Sequence, residues 1–145
     1  MAYRKRIAVL SGAGVSAESG LLTYRDNGGL WDNYNPMDVA SDKAWKQNPG
    51  LVLDFYNTQR EKLQGIRPND AHRLLASLEE RFNVDIVTQN VDNLHERAGS
   101  TRVLHLHGEV TKIRPENSCN EADGYSESLV VDCGYSKVVL GDLAP

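Results

Sequence analysis

A chain of 145 residues suits one domain and is long enough to bury a hydrophobic core. Its net charge is −4, and no basic block outweighs the 20 acidic residues, which argues against nucleic-acid binding and gives no reason to invoke an anionic membrane. The basic start, Arg4-Lys5-Arg6, is followed by only four apolar residues, too few for a secretory core, and no stretch approaches a membrane span, so the expected location is cytoplasmic. The two cysteines, Cys119 and Cys133, form no Cys-x-x-Cys pair and read as free thiols rather than metal ligands.

Residues 5–10 read as a buried parallel strand. Gly12-Ala13-Gly14 follows at once, and a helix is expected to begin there. Residues 26–35 are rich in turn formers and read as a loop. Residues 49–64 predict a helix opened by Pro49, with Val52, Phe55, Tyr56 and Leu63 on roughly one face. A second helix is predicted over 70–82 with Asn69 as N-cap; the spacing assigns Ala71, Leu74, Leu75, Leu78 and Phe82 to the core. A second strand over 85–88, a short helix over 91–98 stopped by Gly99, and a third strand over 102–106 complete the pattern. From about residue 109, Pro115, Asn117, Asn120, Gly124 and Gly134 punctuate two β-prone pieces, 129–132 and 137–140, which suggest a small ribbon-like insertion. Alternation of strand and helix argues for an α/β fold with a parallel sheet, in which ligands bind beyond the carboxyl ends of the strands.

Polar clusters fall at those ends. In Gly12-Ala13-Gly14-Val15-Ser16-Ala17-Glu18-Ser19-Gly20, small residues let backbone approach a phosphate, and a helix N-terminus offers unpaired N–H groups; a tight turn without ligand is the alternative. The spacing is not Gly-x-Gly-x-x-Gly, and no acidic residue is placed for an adenine ribose, so a hydride-transferring dehydrogenase lacks support. Thr23-Tyr24-Arg25 and Gly28-Gly29-Leu30-Trp31 read either as a ligand-closing segment whose Arg25 meets a pyrophosphate, or as a surface loop with aromatic anchors. Thr88-Gln89-Asn90-Val91-Asp92-Asn93 holds more polar groups than helix capping needs, and its amides suit ribose hydroxyls and a carboxamide. In His105-Leu106-His107-Gly108, only one of the two rings is expected to meet the strand-end crevice. His107, at the edge beside Gly108, is the better candidate for a base near neutral pH. His72 reads as packing or surface, and His95 as support for the short helix.

Together, Gly12-Ala13-Gly14-x-Ser16, Gly20-Leu21-Leu22-Thr23-Tyr24-Arg25, Gly29-Leu30-Trp31, Pro68-Asn69-x-Ala71-His72, Thr88-Gln89-Asn90-Val91-Asp92-Asn93-Leu94-His95 and Leu106-His107-Gly108 stand in the order and spacing of the sirtuins, and the chain resembles that family over about residues 6–114. It looks most similar to the bacterial branch that removes acidic acyl groups as well as acetyl. The resemblance implies a Rossmann-like parallel sheet with flanking helices over about 1–108, and a small zinc-ribbon-equivalent insertion over about 109–142. It implies an NAD-dependent protein-lysine deacylase that consumes NAD and acts on acyl-lysine proteins or peptides.

It implies that Gly12, Ala13, Gly14, Ala17, Thr23, Tyr24, Arg25 and Trp31 line the NAD site, and that Gln89, Asn90 and Val91 lie at the nicotinamide ribose. Asp92 then holds the carboxamide and His107 is the general base, with Asn90 beside it. Three departures bear on this. Two cysteines cannot make the four-ligand zinc site of many sirtuins, so no zinc is expected. The Tyr-x-x-Arg pair of the acidic-acyl branch becomes Tyr56-x-x-Gln59, followed by Arg60, which puts succinyl-lysine activity in question; Arg60 reads as substrate-binding or as a solvated surface charge. Relative to the family the chain stops early, so an incomplete domain is expected. The competing readings are a non-catalytic NAD-binding fragment and a protein ADP-ribosyltransferase.

Overall fold

A computed structural model describes residues 4–21, 23, 34–114 and 130–139. In chain order the elements are β1 (Arg6–Ser11), α1 (Gly14–Ala17), α2 (Pro36–Val39), α3 (Asp42–Gln47), α4 (Pro49–Gly65), α5 (Asp70–Ser77) with a 3-10 turn at Leu78–Glu80, β2 (Asn83–Thr88), α6 (Leu94–Arg97), β3 (Val103–His105), β4 (Lys112–Ile113) and β5 (Val131–Asp132). They divide into two compact units: Met1–Asn33 with Gly65–Glu109, and Tyr34–Gln64 with Val110–Pro145.

The first unit is built on a parallel sheet of order β1-β2-β3. Its register aligns the strand ends: Ser11 lies opposite Thr88, and Thr88 opposite His105. Alternation along β2 buries Val84, Ile86 and Thr88, and burying each aliphatic side chain contributes about 1.5–3 kcal/mol relative to exposure. The opposite face carries the row Leu10–Val87–Leu104, in which Leu10 is 71% and Leu104 59% exposed. Arg6 and Arg102 flank Asp85 with ion pairs on the surface.

Asn69 caps α5 as expected: its side chain accepts from the N–H groups of Ala71 and His72, and its Nδ2 donates to the Val15 carbonyl at 2.7 Å. The core assignment on this helix needs correction. His72 is fully buried, whereas Leu74 is 67% exposed and Ala71 is also exposed; Leu75, Leu78 and Phe82 are half-buried. The inward stripe runs 72, 75, 76, one residue out of phase with the apolar spacing, because the cap and the His72 ring set the helix rotation and the 3-10 turn then shifts the phase. The helix expected over 91–98 forms only at Leu94–Arg97. Asp92 Oδ1 accepts from the Leu94 N–H at 3.1 Å, and Gly99 ends the turn with φ +110°, a conformation L side chains resist.

In the second unit, Asn35 caps α2 and Ser41 caps α3. The long helix α4 opens at Pro49, as its sequence predicts, and buries Val52, Phe55, Arg60 and Leu63. Phe55 makes edge contacts with Tyr34 and Tyr56. The ribbon is the antiparallel pair β4–β5, with Lys112 opposite Asp132. Residues 137–139, expected as a strand, are irregular; Val138 is instead buried and exchanges two 2.8 Å hydrogen bonds with the Asn57 amide. Tyr24, Arg25 and Trp31, Cys119 and most of the 26–35 loop lie outside the described residues.

Candidate functional site

The site lies in the first unit, where the register brings Ser11, Thr88 and His105 side by side at the carboxyl ends of the strands. Past β1 the chain turns through Gly12 and Ala13 into α1, which is a single turn long. The helix expected there is therefore too short for much of a macrodipole, and the segment presents the small residues Gly12, Ala13 and Gly14 rather than a long helix end, with Ala17 inside the single turn. A Cβ at Gly12 or Gly14 would meet nothing within 4 Å, so this turn is open on its outer side.

Ser16 is the hub. Its hydroxyl is 1% exposed, donates to Asp92 Oδ2 at 2.9 Å, accepts from Asn90 Nδ2 at 3.1 Å and lies 3.5 Å from His72 Nε2. Asp92 and Asn90 are themselves nearly buried, at 7% and 4% exposure. The His72 ring meets the His95 ring edge-on at 4.8 Å, and His95 Nε2 is 3.0 Å from the Ser11 hydroxyl. Burial lowers the pKa of both rings below the ordinary 6.5, assisted at His72 by the neighbouring His95 and opposed at both by the charge of Asp92.

Residues 89–93 leave β2 as an irregular turn held at several points. The Gln89 N–H donates to the Ser11 carbonyl at 3.1 Å, and the Asn90 N–H to Thr88 Oγ1 at 3.1 Å. Gln89 is exposed, Val91 half-buried. His107 is exposed just beyond β3, and its Nδ1 lies 3.0 Å from the Gln89 carbonyl. A carbonyl only accepts, so Nδ1 carries the proton and Nε2 of the neutral ring presents a lone pair. Gly108 follows at φ +75° and turns the chain away. His105 points inward: its side chain is 5% exposed, with Nδ1 2.7 Å from the Asn90 carbonyl and Nε2 2.8 Å from Glu96 Oε1.

Sequence reasoning picked out Asn90, Asp92 and His107 but not the hub. The sequence presents Ser16 as part of a motif, His72 as packing or surface, His95 as support for the short helix and His105 as the less favoured of two histidines, and it does not single out Glu96. The available signal was the chain of small polar residues at register-equivalent strand ends. In the second unit Tyr56 and Gln59 are half-buried on α4. Arg60 is not a solvated surface charge: it is 3% exposed, with Nη1 donating to the Val110 carbonyl at 2.9 Å and Nη2 to Asn57 Oδ1 at 2.6 Å.

Comparisons with known proteins give the family. The Sir2 family model matches residues 12–133. An NAD-dependent protein deacylase of Helicobacter pylori is 57% identical over 140 residues, covering 97% of this chain and 56% of that protein. An ADP-ribose complex of a mutant Sir2 homologue superposes with a TM-score of 0.78 at 37% identity, over 95% of this chain and 51% of the other. A Sir2 homologue–NAD complex gives 0.69 at 44% identity, over 80% and 45%. The chain thus spans about half the length of the curated relatives it matches. With the family model covering most of its residues, and Ser16, Asn90, Asp92 and His107 lying within that match, the chain belongs to the Sir2 family.

Proposed function

We propose that the full-length gene product is an NAD-dependent protein-lysine deacylase, converting acyl-lysine, NAD and water into lysine, nicotinamide and O-acyl-ADP-ribose. The support is the buried Ser16–Asn90–Asp92 cluster at the ends of β1 and β2 with the exposed His107 lone pair beside it. The residues suit the dinucleotide: the Asp92 oxygens each keep a lone pair for a carboxamide N–H, the 12–14 turn is open, and Gln89 is free to reach a ribose hydroxyl. NAD, when bound, supplies an electrophilic ribose carbon and a leaving group. His107 then takes the proton of a ribose hydroxyl at Nε2, while the Gln89 carbonyl fixes its ring and tautomer. Asp92, tied to Ser16 and the Leu94 N–H, would orient the carboxamide, and Asn90 would stand at the reacting ribose.

We further assign acyl-chain choice to Tyr56 and Gln59. A neutral amide at 59 gives no charge to pair with a succinyl carboxylate, so acetyl-lysine is the preferred substrate. The ribbon is assigned no zinc, since Cys133 Sγ donates to the Thr111 carbonyl at 3.2 Å. The test is mass-spectrometric product analysis with NAD and acetyl- or succinyl-lysine peptides. Nicotinamide and O-acyl-ADP-ribose are expected, with His107→Ala abolishing both. A full-length protein that releases no nicotinamide, or an alanine variant with full activity, would sink the assignment.

A further inference from the structure

His105 makes contacts that the proposed chemistry does not use. Its ring is almost fully buried and bridges two elements of the first unit: Nδ1 reaches the Asn90 carbonyl at 2.7 Å and Nε2 reaches Glu96 on α6 at 2.8 Å. A carbonyl and a carboxylate both accept, so both ring nitrogens must donate, which only the imidazolium can do. Asn90 is the residue whose amide joins the Ser16 hub, and it follows Gln89, whose carbonyl orients His107.

Building on the deacylase reading, we propose that His105 is a positioning residue: as an imidazolium it clamps the Asn90 carbonyl to Glu96, and so holds the 89–92 turn in the geometry that aims His107. The titratable groups facing the ring are Glu96 and His95 on α6 and Glu109 after β3. Burial alone would lower the His105 pKa; the Glu96 and Asn90 hydrogen bonds, with the charges of Glu96 and Glu109, outweigh it and raise the pKa above the ordinary 6.5. When the ring loses its proton, one nitrogen turns a lone pair toward an oxygen less than 3 Å away. The turn is then released, and turnover falls on the alkaline side.

Side-chain geometry separates the two halves of the clamp. His105→Asn puts an amide N–H near the Nδ1 position and keeps the bond to Asn90. His105→Gln puts one near Nε2 and keeps only the bond to Glu96. His105→Leu keeps neither. In the full-length protein kcat is expected to fall about 10-fold or more in the Gln and Leu variants, but only about threefold in the Asn variant, with peptide KM little changed in all three. Glu96→Gln leaves an acceptor without charge and is expected to move the alkaline limb of kcat about one pH unit lower. An Asn variant as impaired as the Leu variant, or an alkaline limb unmoved by Glu96→Gln, overturns the proposal.

The carbonyl 13C resonance of Asn90 gives a readout independent of turnover. It is expected to titrate with His105, and to shift in the Gln and Leu variants but not in the Asn variant. If the wild-type protein releases no nicotinamide, the deacylase reading fails while this resonance still decides the clamp; a resonance indifferent to His105 overturns it.

Discussion

Replacing Ser16 with alanine removes a hydroxyl that joins two buried side chains, and the loss can be worked through from its partners. Asp92 Oδ2 loses a 2.9 Å donor and Asn90 Nδ2 loses a 3.1 Å acceptor, and both side chains are more than nine-tenths buried. Each polar group left without a partner costs about 1–3 kcal/mol, and the gain in helix propensity from Ser to Ala offsets only about 0.5 kcal/mol. The net loss is therefore about 1.5–5.5 kcal/mol, a large part of the roughly 5–15 kcal/mol that holds a domain folded. Urea denaturation measures the total. Hydrogen exchange at the Ile86 amide, which bonds the Arg102 carbonyl inside the sheet, reports the first unit specifically. A Ser16→Ala protein within about 0.5 kcal/mol of wild type by both measures would refute the argument that the hub lacks access to water.

Stability should depend on pH with two opposite signs. His72 and His95 have lowered pKa values, so their contribution is present above the unfolded value near 6.5 and is lost as pH falls through the folded values. His105 has a raised pKa, so its contribution is present below 6.5 and is lost as pH rises through the folded value; thermal melts should show the alkaline loss disappear in His105→Leu. Arg60→Met takes the Arg60 donor from the Val110 carbonyl, while Asn57 Oδ1 keeps the Val138 N–H, and should cost about 1–3 kcal/mol in a urea melt, whereas a solvated arginine would cost almost nothing. Gln59→Arg should raise kcat/KM for succinyl- over acetyl-lysine peptides by about 10-fold; an unchanged ratio would remove residue 59 from the choice of acyl group.

The strands of the first unit were legible because an apolar run followed by small polar residues leaves few other options, and β1 and β2 lie close to where the sequence predicts them. Strand alternation does not separate His105 from His107, because residues two apart share a face; one is buried and the other exposed because β3 ends at His105 and His107 lies beyond it. What was not legible depended on contacts far apart in the chain. Ser16 and Asp92 are 76 residues apart, and nothing local to either indicates that they share a proton. The phase of α5 follows from the His72 ring rather than from the leucines that dominate its sequence, so apolar spacing assigned Leu74 to the wrong side. Arg60 has the composition of a surface residue, yet Asn57 one turn earlier gives it a partner inside. Most of α4 was predictable from Pro49 onward because its capping and apolar spacing are both local.

The four histidines differ sharply in access to solvent: the side chains of His72, His95 and His105 are buried and only His107 is exposed. A histidine-acylating reagent such as diethyl pyrocarbonate would therefore modify one ring in the native protein and the other three only after unfolding. The absorbance change on carbethoxylation would count one imidazole, at Nε2, and its rate would follow any ligand that covers His107. The fold thus supplies a chemical footprint of its own catalytic candidate without a mutation or a label.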